Sequence, residues 1–220
     1  MDRNPKKVNT KQIREYKKDL KLTVQQRKIL IGTLLGDGHL ETQNKGRTYR
    51  LKIEHSVKQA DYVAWLYTQF TDWVHAEPYR RTRNGRDYVG FTTYSHGAFR
   101  YYAQQFYREN DKIVPLKIAQ MLDPTSLAIW FLDDGSRKSL KHNTYVLHTY
   151  GFSQTGNEAL SKALQERFGI STSLHKQKQK YWRLYIIAGT SAQRFDEIVR
   201  PYVEMFTSMT HKLGNMKPKE

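Results

Sequence analysis

Cysteine is absent from the 220-residue chain, and acidic residues and long apolar runs are scarce. Without cysteine there is no disulfide framework, no thiolate metal site and no cysteine nucleophile. No apolar run approaches the roughly 20 residues that a membrane-spanning helix requires, and the N-terminus is too charged for a secretory signal. We therefore expect a soluble intracellular protein, and composition does not decide between the cytoplasm and an organelle matrix.

The shortage of acids leaves a large positive charge. The chain has 37 Lys and Arg against 21 Asp and Glu, a net charge of +16. Such an excess suits a polyanion held by phosphate contacts and counterion release. One alternative is a basic protein with no such partner. Another is a protein of membrane surfaces, but no basic amphipathic helix with a broad apolar face is evident. The charge therefore favours nucleic acid.

Two apolar stretches end in a way that an ordinary core helix does not. They are LIGTLLGDGH, from Leu30 to His39, and LAIWFLDDGS, from Leu127 to Ser136. Each is apolar enough to be buried, yet each runs into aspartate followed by glycine. The C-terminal end of a helix carries partial negative charge, which disfavours a carboxylate there by about a few tenths of a kcal/mol. We therefore expect a compensating interaction at both ends.

The two stretches head an internal repeat. Asp37 and Asp134 lie 97 residues apart, and each is followed by strand-like residues, a helical stretch, a hairpin and a last helix in the same order. The order αββαββα in both halves predicts an α+β fold of two pseudo-symmetric repeats with antiparallel sheets. The predicted divisions are a basic N-terminal arm at 1–22, a first repeat at 23–122 and a second repeat at 123–220.

Capping signals mark the ends of the two apolar helices. Thr23 and Gln26 have the spacing of a capping box before the first helix. Asp123, which a proline follows, has the residue type of an N-cap before the second helix. Gly38 and Gly135 stand where a left-handed residue is expected to end each helix.

The apolar helices are the natural seam between the halves. Gly32 and Gly36 lie on one helix face, where a second helix can approach closely. Such packing would bring Asp37 and Asp134 together, and their carboxylates would repel. Divalent cations relieve that repulsion, Mg²⁺ prefers oxygen ligands, and such ions stabilise a displacement at phosphorus. A single Asp-Gly is more simply a turn, but two at matched positions in a chain of net charge +16 favour metal and phosphate.

The residues from Leu30 to Gly38 and from Leu127 to Gly135 resemble the motif that names the LAGLIDADG homing endonucleases. The resemblance covers nearly the whole chain after residue 22 and is to the single-chain, two-motif branch of the family. It implies a monomer whose motif helices pack at the centre and whose two saddle-shaped sheets straddle duplex DNA. It also implies that both strands are cut across the minor groove with Mg²⁺, leaving short 3′ overhangs.

The resemblance assigns the metal to the last aspartate of each motif. These residues are Asp37 and Asp134, and we expect Mn²⁺ to substitute for Mg²⁺. Asp133, one position earlier, receives no metal contact from the resemblance. The second motif has Ile129 where the family pattern has glycine. Since the small residues then lie mostly on the first helix, we expect an asymmetric seam.

The resemblance also assigns a catalytic lysine to each half, near the scissile phosphate. Lys112 and Lys212 have matching positions, 75 residues after the first motif aspartate and 78 after the second. In a chain this basic, a solvated surface lysine is the alternative for either. The histidines show no metal-ligand spacing, and we interpret His39 and His55 as surface or strand residues rather than ligands.

Charged residues on the predicted hairpins suit a DNA-binding face, because side chains on a strand alternate between its two sides. Three lysines, here called the tip lysines, share one face if a strand runs through them; they are Lys176, Lys178 and Lys180. The complete set of predicted DNA-binding residues is Arg50, Lys52, Glu54, Arg81, Arg83, Arg86, Arg137, Lys138, His148, Tyr150, the tip lysines and Arg183. The alternative is the wet side of amphipathic strands. The two halves differ at these positions, so we expect a poorly palindromic target.

The sequence therefore predicts a metal-dependent, site-specific endonuclease for double-stranded DNA, encoded by a mobile intron or an intein-like element. A maturase that binds intron RNA to assist splicing is a second interpretation, because the same family includes such proteins. A third is a DNA-binding regulator without catalysis. The presence of both motif aspartates disfavours the third interpretation, whereas the sequence separates the first two poorly.

Overall fold

A computed structural model describes residues 11–109, 111–139 and 142–214. Its helices are α1 (Lys11–Lys18), α2 (Val24–Leu35), α3 (Ala60–Gln69), α4 (Arg100–Phe106), α5 (Ile118–Met121), α6 (Pro124–Asp134), α7 (Gln154–Phe168) and α8 (Thr190–Val203). Its strands are β1 (His39–Glu41), β2 (Arg50–Ser56), β3 (Tyr79–Arg83), β4 (Arg86–Thr92), β5 (Tyr107–Arg108), β6 (Asp111–Lys112), β7 (Gly135–Ser139), β8 (His142–Leu147), β9 (Thr172–Gln177) and β10 (Tyr181–Ile186).

The predicted repeat is confirmed. Each half has the order αββαββα, beginning at α2 in the first half and at α6 in the second. The two antiparallel four-stranded sheets have equivalent strand orders, β1-β2-β4-β3 and β7-β8-β10-β9. The small β5–β6 hairpin and the short α5 lie between the halves in sequence. Part of the predicted basic arm, residues 1–10, lies outside the described residues, and its remainder contains α1.

Both apolar helices begin at the predicted caps. The Thr23 hydroxyl accepts the Gln26 amide at 3.1 Å, and the Gln26 side chain accepts the Thr23 amide at 3.0 Å. Before α6, the Asp123 carboxylate accepts the Ser126 amide at 2.8 Å, and Pro124 occupies the first turn. These bonds satisfy amides that have no partner within the helix, which fixes where both central helices start.

α2 and α6 pack against each other at the centre of the molecule. A methyl group added at Gly32 would lie 2.6 Å from both Ile129 Cβ and the Ser126 carbonyl oxygen. One added at Gly36 would overlap the side chain of Asp133. The predicted close approach at these two glycines is therefore confirmed, and the seam is asymmetric because the glycines of α2 face larger side chains of α6.

The prediction that Gly38 and Gly135 are left-handed is wrong. Gly135 has φ −96° and ψ 157°, and Gly38 is not among the positive-φ glycines. Both have room for no more than hydrogen, because an added methyl would overlap Thr33 at Gly38 and Phe131 at Gly135. After α6 the chain enters β7 directly, so no left-handed turn is needed. A left-handed helix end occurs instead at Gly169, after α7, with φ 63°.

The first sheet has the alternation that its sequence predicts. In β2, Leu51, Ile53 and His55 are buried, while the residues between them are partly exposed. The β3–β4 hairpin turns at Asn84 and Gly85, both with positive φ, as the Asn-Gly pair predicts. The buried face joins the hydrophobic core beneath each sheet, and the other face is left for polar side chains.

Within the three described ranges, no helix is long and apolar enough to cross a membrane.

Candidate active site and nucleic-acid interface

The seam brings the two motif aspartates together. Asp37 follows the end of α2, and Asp134 is the last residue of α6. Burial, followed by the negative charges of Asp37 and Asp133, raises the pKa of Asp134 to about 8. The Asp37 side chain is 48% exposed. One accessible carboxylate and one largely buried carboxylate thus share a negative pocket at two helix ends.

Asp133 reaches across the seam to the first half. Its Oδ2 accepts the Asp37 amide at 3.1 Å, and its Oδ1 accepts the Tyr62 hydroxyl at 2.7 Å. Burial and the charge of Asp37 raise the pKa of Asp133 to about 8. Sequence reasoning gave this residue no role. The sequence did contain a signal for a role of Asp133: the first motif has Gly36 at the position where the second motif has Asp133.

His55 is a buried strand residue beside these acids, in keeping with its interpretation as a strand residue. Its Nδ1 lies 3.4 Å from Asp37 Oδ2, and its Nε2 lies 3.7 Å from Asp133 Oδ1. Burial lowers the pKa of His55, and the charge of Asp37 opposes that shift. His39 lies instead at the start of β1, where its ring contacts the Tyr107 hydroxyl at 3.3 Å.

The two predicted lysines lie at the C-terminal ends of the two central helices. Lys112 Nζ donates to the Gly36 carbonyl at 2.6 Å, and Lys212 Nζ donates to the Leu132 carbonyl at 2.6 Å. Those carbonyls form the negative ends of the helix dipoles. Burial lowers the pKa of each lysine, and the three aspartates of the seam oppose the shift. The alternative of solvated surface lysines does not describe either residue, while their catalytic role remains a prediction.

A network of side chains in the second half holds the segment that carries Lys212. The Tyr145 hydroxyl accepts the Gly214 amide at 3.2 Å, and Arg200 donates to the Gly214 carbonyl at 3.0 Å. Asp196 in turn accepts from both Arg200 and Tyr145. Lys112, by contrast, is held by the β5–β6 hairpin, where it pairs with Tyr107. The two lysines are therefore positioned by unrelated local structures.

The oxygen donors of Asp37 and Asp134 are of the kind that a hard divalent cation such as Mg²⁺ prefers. In the part of the chain that the structure describes, no group of three or more His, Asp or Glu forms a complete cage. Asp37 and Asp134 would offer carboxylate oxygens to such a cation. Burial is the larger cause of the raised pKa of Asp134, and the negative charge of Asp37 is the next; a bound cation would offset both. Mg²⁺ commonly binds through one or two carboxylates, with phosphate and water completing its shell.

The first sheet gathers its predicted DNA-binding residues on one polar face. The registers β2–β4 and β3–β4 place Arg81, Arg83 and Arg86 on the same side as the polar residues of β2. Arg81 donates to Glu54 at 2.5 Å, and Arg50 donates to Glu41 at 2.7 Å. Lys52 lies on the same side of β2 as Arg50 and Glu54, opposite the buried Leu51 and Ile53. On this face, glutamates therefore orient two of the arginines: Glu54 orients Arg81 and Glu41 orients Arg50.

The second sheet presents an aromatic face. Arg183 lies over the Tyr150 ring at 4.9 Å, and the Tyr150 ring packs against Tyr181 at 5.6 Å. Farther along, Lys138 lies over the Tyr185 ring at 5.8 Å. Sequence reasoning missed four residues of this face, which the β9–β10 register places beside Arg183: His175, Gln177, Tyr181 and Tyr185. Period-two alternation would have identified them once the strand ends were known.

His148 and Arg137 differ in how well they fit the predicted interface. His148 Nε2 contacts Ser136 Oγ at 2.9 Å, close to the end of α6. Arg137 pairs with the buried Tyr145, so the register places it on the core side of the edge strand, away from Lys138. Arg137 therefore lies apart from the polar face, and its role in DNA binding remains a prediction.

The tip lysines do not alternate along one strand, so that expectation from the sequence is wrong. β9 ends at Gln177, and Lys178 and Gln179 have positive φ values of 49° and 53° in the turn to β10. Lys176 pairs with Trp182, on the opposite side of the hairpin from His175. Sequence alone did not locate the turn because KQKQK contains no glycine, proline or asparagine to mark it.

Comparisons with known proteins agree with this architecture. The sequence matches the model of the LAGLIDADG DNA endonuclease family over residues 27–195. DNA endonuclease I-ChuI from Chlamydomonas applanata is 31% identical over 84% of this chain and 93% of that protein. Cytochrome b mRNA maturase bI2 from Saccharomyces cerevisiae is 28% identical over 85% of this chain and 47% of that protein. The structure resembles the homing endonuclease I-WcaI bound to its DNA recognition sequence, with a TM-score of 0.84, 28% identity, and coverage of 94% of this chain and 95% of that chain.

Proposed function

We propose that this chain, which belongs to the LAGLIDADG DNA endonuclease family, is a homing endonuclease that cuts both strands of a long, asymmetric DNA site. In this proposal it acts as a monomer, hydrolyses phosphodiesters across the minor groove with a divalent metal, and leaves short 3′ overhangs. Such cutting serves the mobility of an intron that encodes the protein.

The single observation that carries the proposal is the pairing of acids and lysines at the seam. Asp37 and Asp134 stand at the ends of two helices whose terminal carbonyls are bonded by Lys112 and Lys212. A binding protein has no use for a pocket in which carboxylates repel the phosphates of its ligand. A metal-dependent phosphodiesterase needs those carboxylates, and this arrangement supplies one acid and one amine from each half.

The residues of the pocket would divide the work between holding the metal and stabilising the phosphate. Asp37 and Asp134 would hold Mg²⁺, or Mn²⁺ in its place. When bound, the ion supplies Lewis-acid stabilisation of negative charge on the phosphate oxygens. Lys112 and Lys212 would donate hydrogen bonds to those oxygens as charge develops, exchanging a carbonyl partner for phosphate. Because both lysines are already desolvated, this exchange requires little further dehydration.

Recognition of the target would fall to the polar faces of the two sheets. An arginine that a neighbouring glutamate orients, such as Arg81 beside Glu54, suits the acceptor edge of guanine. The aromatic face around Tyr150 and Tyr185 suits apolar contact with thymine methyl groups. Since the two faces differ in chemistry, the two ends of the target should differ in sequence, which makes the site a poor palindrome.

Maturase activity is a second candidate, with intron RNA as the partner. The likeness to a cytochrome b mRNA maturase supports it, although this chain spans about half of that relative. The acid–lysine pocket favours cutting over a purely RNA-binding role. In a splicing assay with the intron that encodes the chain, faster splicing would establish the maturase role independently of cutting.

The test of the proposed function is incubation of the chain with Mg²⁺ and a randomised duplex library, followed by sequencing of the cut ends. We expect linear products that share one long consensus and carry short 3′ overhangs. Chelation of the metal before incubation is the matched control and should leave the library intact. Tight binding of a consensus without any cut ends would contradict nuclease activity and leave a DNA-binding protein.

A further inference from the structure

Asp133 occupies space that Gly36 leaves empty. Any side chain at Gly36 would overlap that of Asp133, which lies across the seam and is fully shielded from solvent. Asp133 belongs to the second motif by sequence, yet the hydrogen-bond partners of its carboxylate lie in the first half. The first motif makes no equivalent contact to the second half, because Gly36, at the position of Asp133, has no side chain to extend toward Asp134.

The two motif aspartates differ in how their backbone is held. α6 continues through Asp134, so this residue lies within a helix. α2 ends at Leu35 and is capped by Gly36, so Asp37 lies beyond the helix. Its amide donates to Asp133 Oδ2 at 3.1 Å instead. A carboxylate from the second half thus takes the place of a helical carbonyl for Asp37.

Tyr62 fixes the carboxylate that makes this contact. Its hydroxyl donates to Asp133 Oδ1 at 2.7 Å, and its side chain is fully buried against His55 and Phe206. His55 in turn lies against Asp37. The two carboxylate oxygens of Asp133 therefore have separate partners. The Tyr62 hydroxyl holds the carboxylate in place through Oδ1, and the carboxylate holds the Asp37 amide through Oδ2.

We propose that Asp133, oriented by Tyr62, is a positioning residue that sets the placement of Asp37 from the opposite half of the molecule. The expected effect on cutting rests on the proposed nuclease function, whereas the placement of Asp37 by Asp133 does not. The contact itself makes the two halves unequal, so its loss should disturb the half of the reaction that depends on Asp37 more than the other half. Misplacement of a reacting group by about 1 Å can cost roughly 100-fold in rate.

Two substitutions at Asp133 separate hydrogen bonding from charge. Asp133→Asn keeps one oxygen for the Asp37 amide, and its amino group can donate to the Tyr62 oxygen, since a hydroxyl also accepts. Asp133→Ala removes both contacts. Tyr62→Phe removes the orienting hydroxyl alone. Its matched control is Tyr102→Phe, the same change at a buried tyrosine of α4 outside the pocket.

The first readout is the Asp37 amide in the ¹⁵N spectrum of aspartate-labelled protein, assigned by its absence in Asp37→Asn. In Asp133→Ala this resonance should shift upfield and exchange with solvent about tenfold faster, as expected for a lost hydrogen bond. It should stay near its original position in Asp133→Asn and Tyr102→Phe. An unmoved resonance in Asp133→Ala overturns the proposal, whether or not the chain cuts DNA.

The second readout is the rate of cutting of each strand, measured on duplexes labelled on one strand at a time. Asp133→Ala should slow one strand roughly 10- to 100-fold and the other within about threefold, so that nicked duplex accumulates. Asp133→Asn should keep both rates within about threefold. Equal slowing of both strands, or a loss in Asp133→Asn as large as in Asp133→Ala, overturns the positioning role. A wild-type chain that cuts no duplex refutes the nuclease function instead, which the amide measurement does not depend on.

Discussion

Substitution of Gly32 by alanine tests the seam on which the active site is built. The added methyl would lie 2.6 Å from Ile129 Cβ and 2.6 Å from the Ser126 carbonyl oxygen. The second neighbour is helix backbone and cannot turn aside, so α2 and α6 must separate. Alanine gains about 1 kcal/mol over glycine within a helix, whereas overpacking costs about 1–3 kcal/mol. With a backbone neighbour the cost lies at or above the top of that range.

We therefore expect Gly32→Ala to lower the free energy of unfolding by about 2 kcal/mol, from the difference between overpacking and helix propensity. For a chain of this size that corresponds to a fall in Tm of roughly 4–8 °C, measured by calorimetry or circular dichroism. The matched control is Gly97→Ala, where an added methyl meets no atom within 4 Å, and its Tm should stay close to that of the wild type. A Gly32→Ala protein with unchanged or raised Tm would refute the tight seam.

Three other perturbations address the lysines, the acids and the hairpin tip. Lys112→Met and Lys212→Met should each slow the cutting of a different DNA strand, which a time course of nicked and linear plasmid measures. Wild-type kinetics in both variants would show that the lysines have no catalytic role. The pKa of Asp134 is raised from 3.8 to about 8, so without metal the free energy of unfolding should fall as pH rises from about 4 to 8. Asp133 has the same raised pKa of about 8 and adds to that fall, so Asp134→Asn should make the fall smaller without abolishing it, and Mg²⁺ should oppose it. A slope in Asp134→Asn equal to that of the wild type would contradict the assignment. Neutralising the tip lysines should reduce the salt dependence of DNA affinity by about one unit of slope per phosphate contact without relaxing preference at any base pair; an unchanged slope would show that this tip does not face DNA.

The repeat and its central helices could be predicted because their signals are local. Capping residues Thr23 and Asp123 act within one turn of their helices, and the Asn84-Gly85 turn needs no distant partner. Gly32 and Gly36 indicated the seam because glycines on one helix face have no side chains and so let a second helix approach closely. These features depend on short-range sterics and hydrogen bonding, which sequence encodes directly.

The parts that sequence did not predict depend on contacts between distant residues. The Asp133 carboxylate finds Tyr62 and the Asp37 amide only after the two halves dock. Gly38 and Gly135 were expected to be left-handed on local grounds, but packing against neighbouring side chains is what requires glycine there. The hairpin of the second half turns at Lys178 without any turn-favouring residue, so the faces of its two strands could not be assigned.

The central claim is that the two seam aspartates hold the metal that cuts DNA. The most direct measurement compares Asp37→Asn and Asp134→Asn with the wild-type chain on its own target in Mg²⁺, recording linear product and DNA affinity in parallel. We predict that each variant forms no linear product and binds the target at least as tightly, because a carboxylate that repels phosphate has been neutralised. Cutting of both strands at the wild-type rate by either variant would contradict the claim.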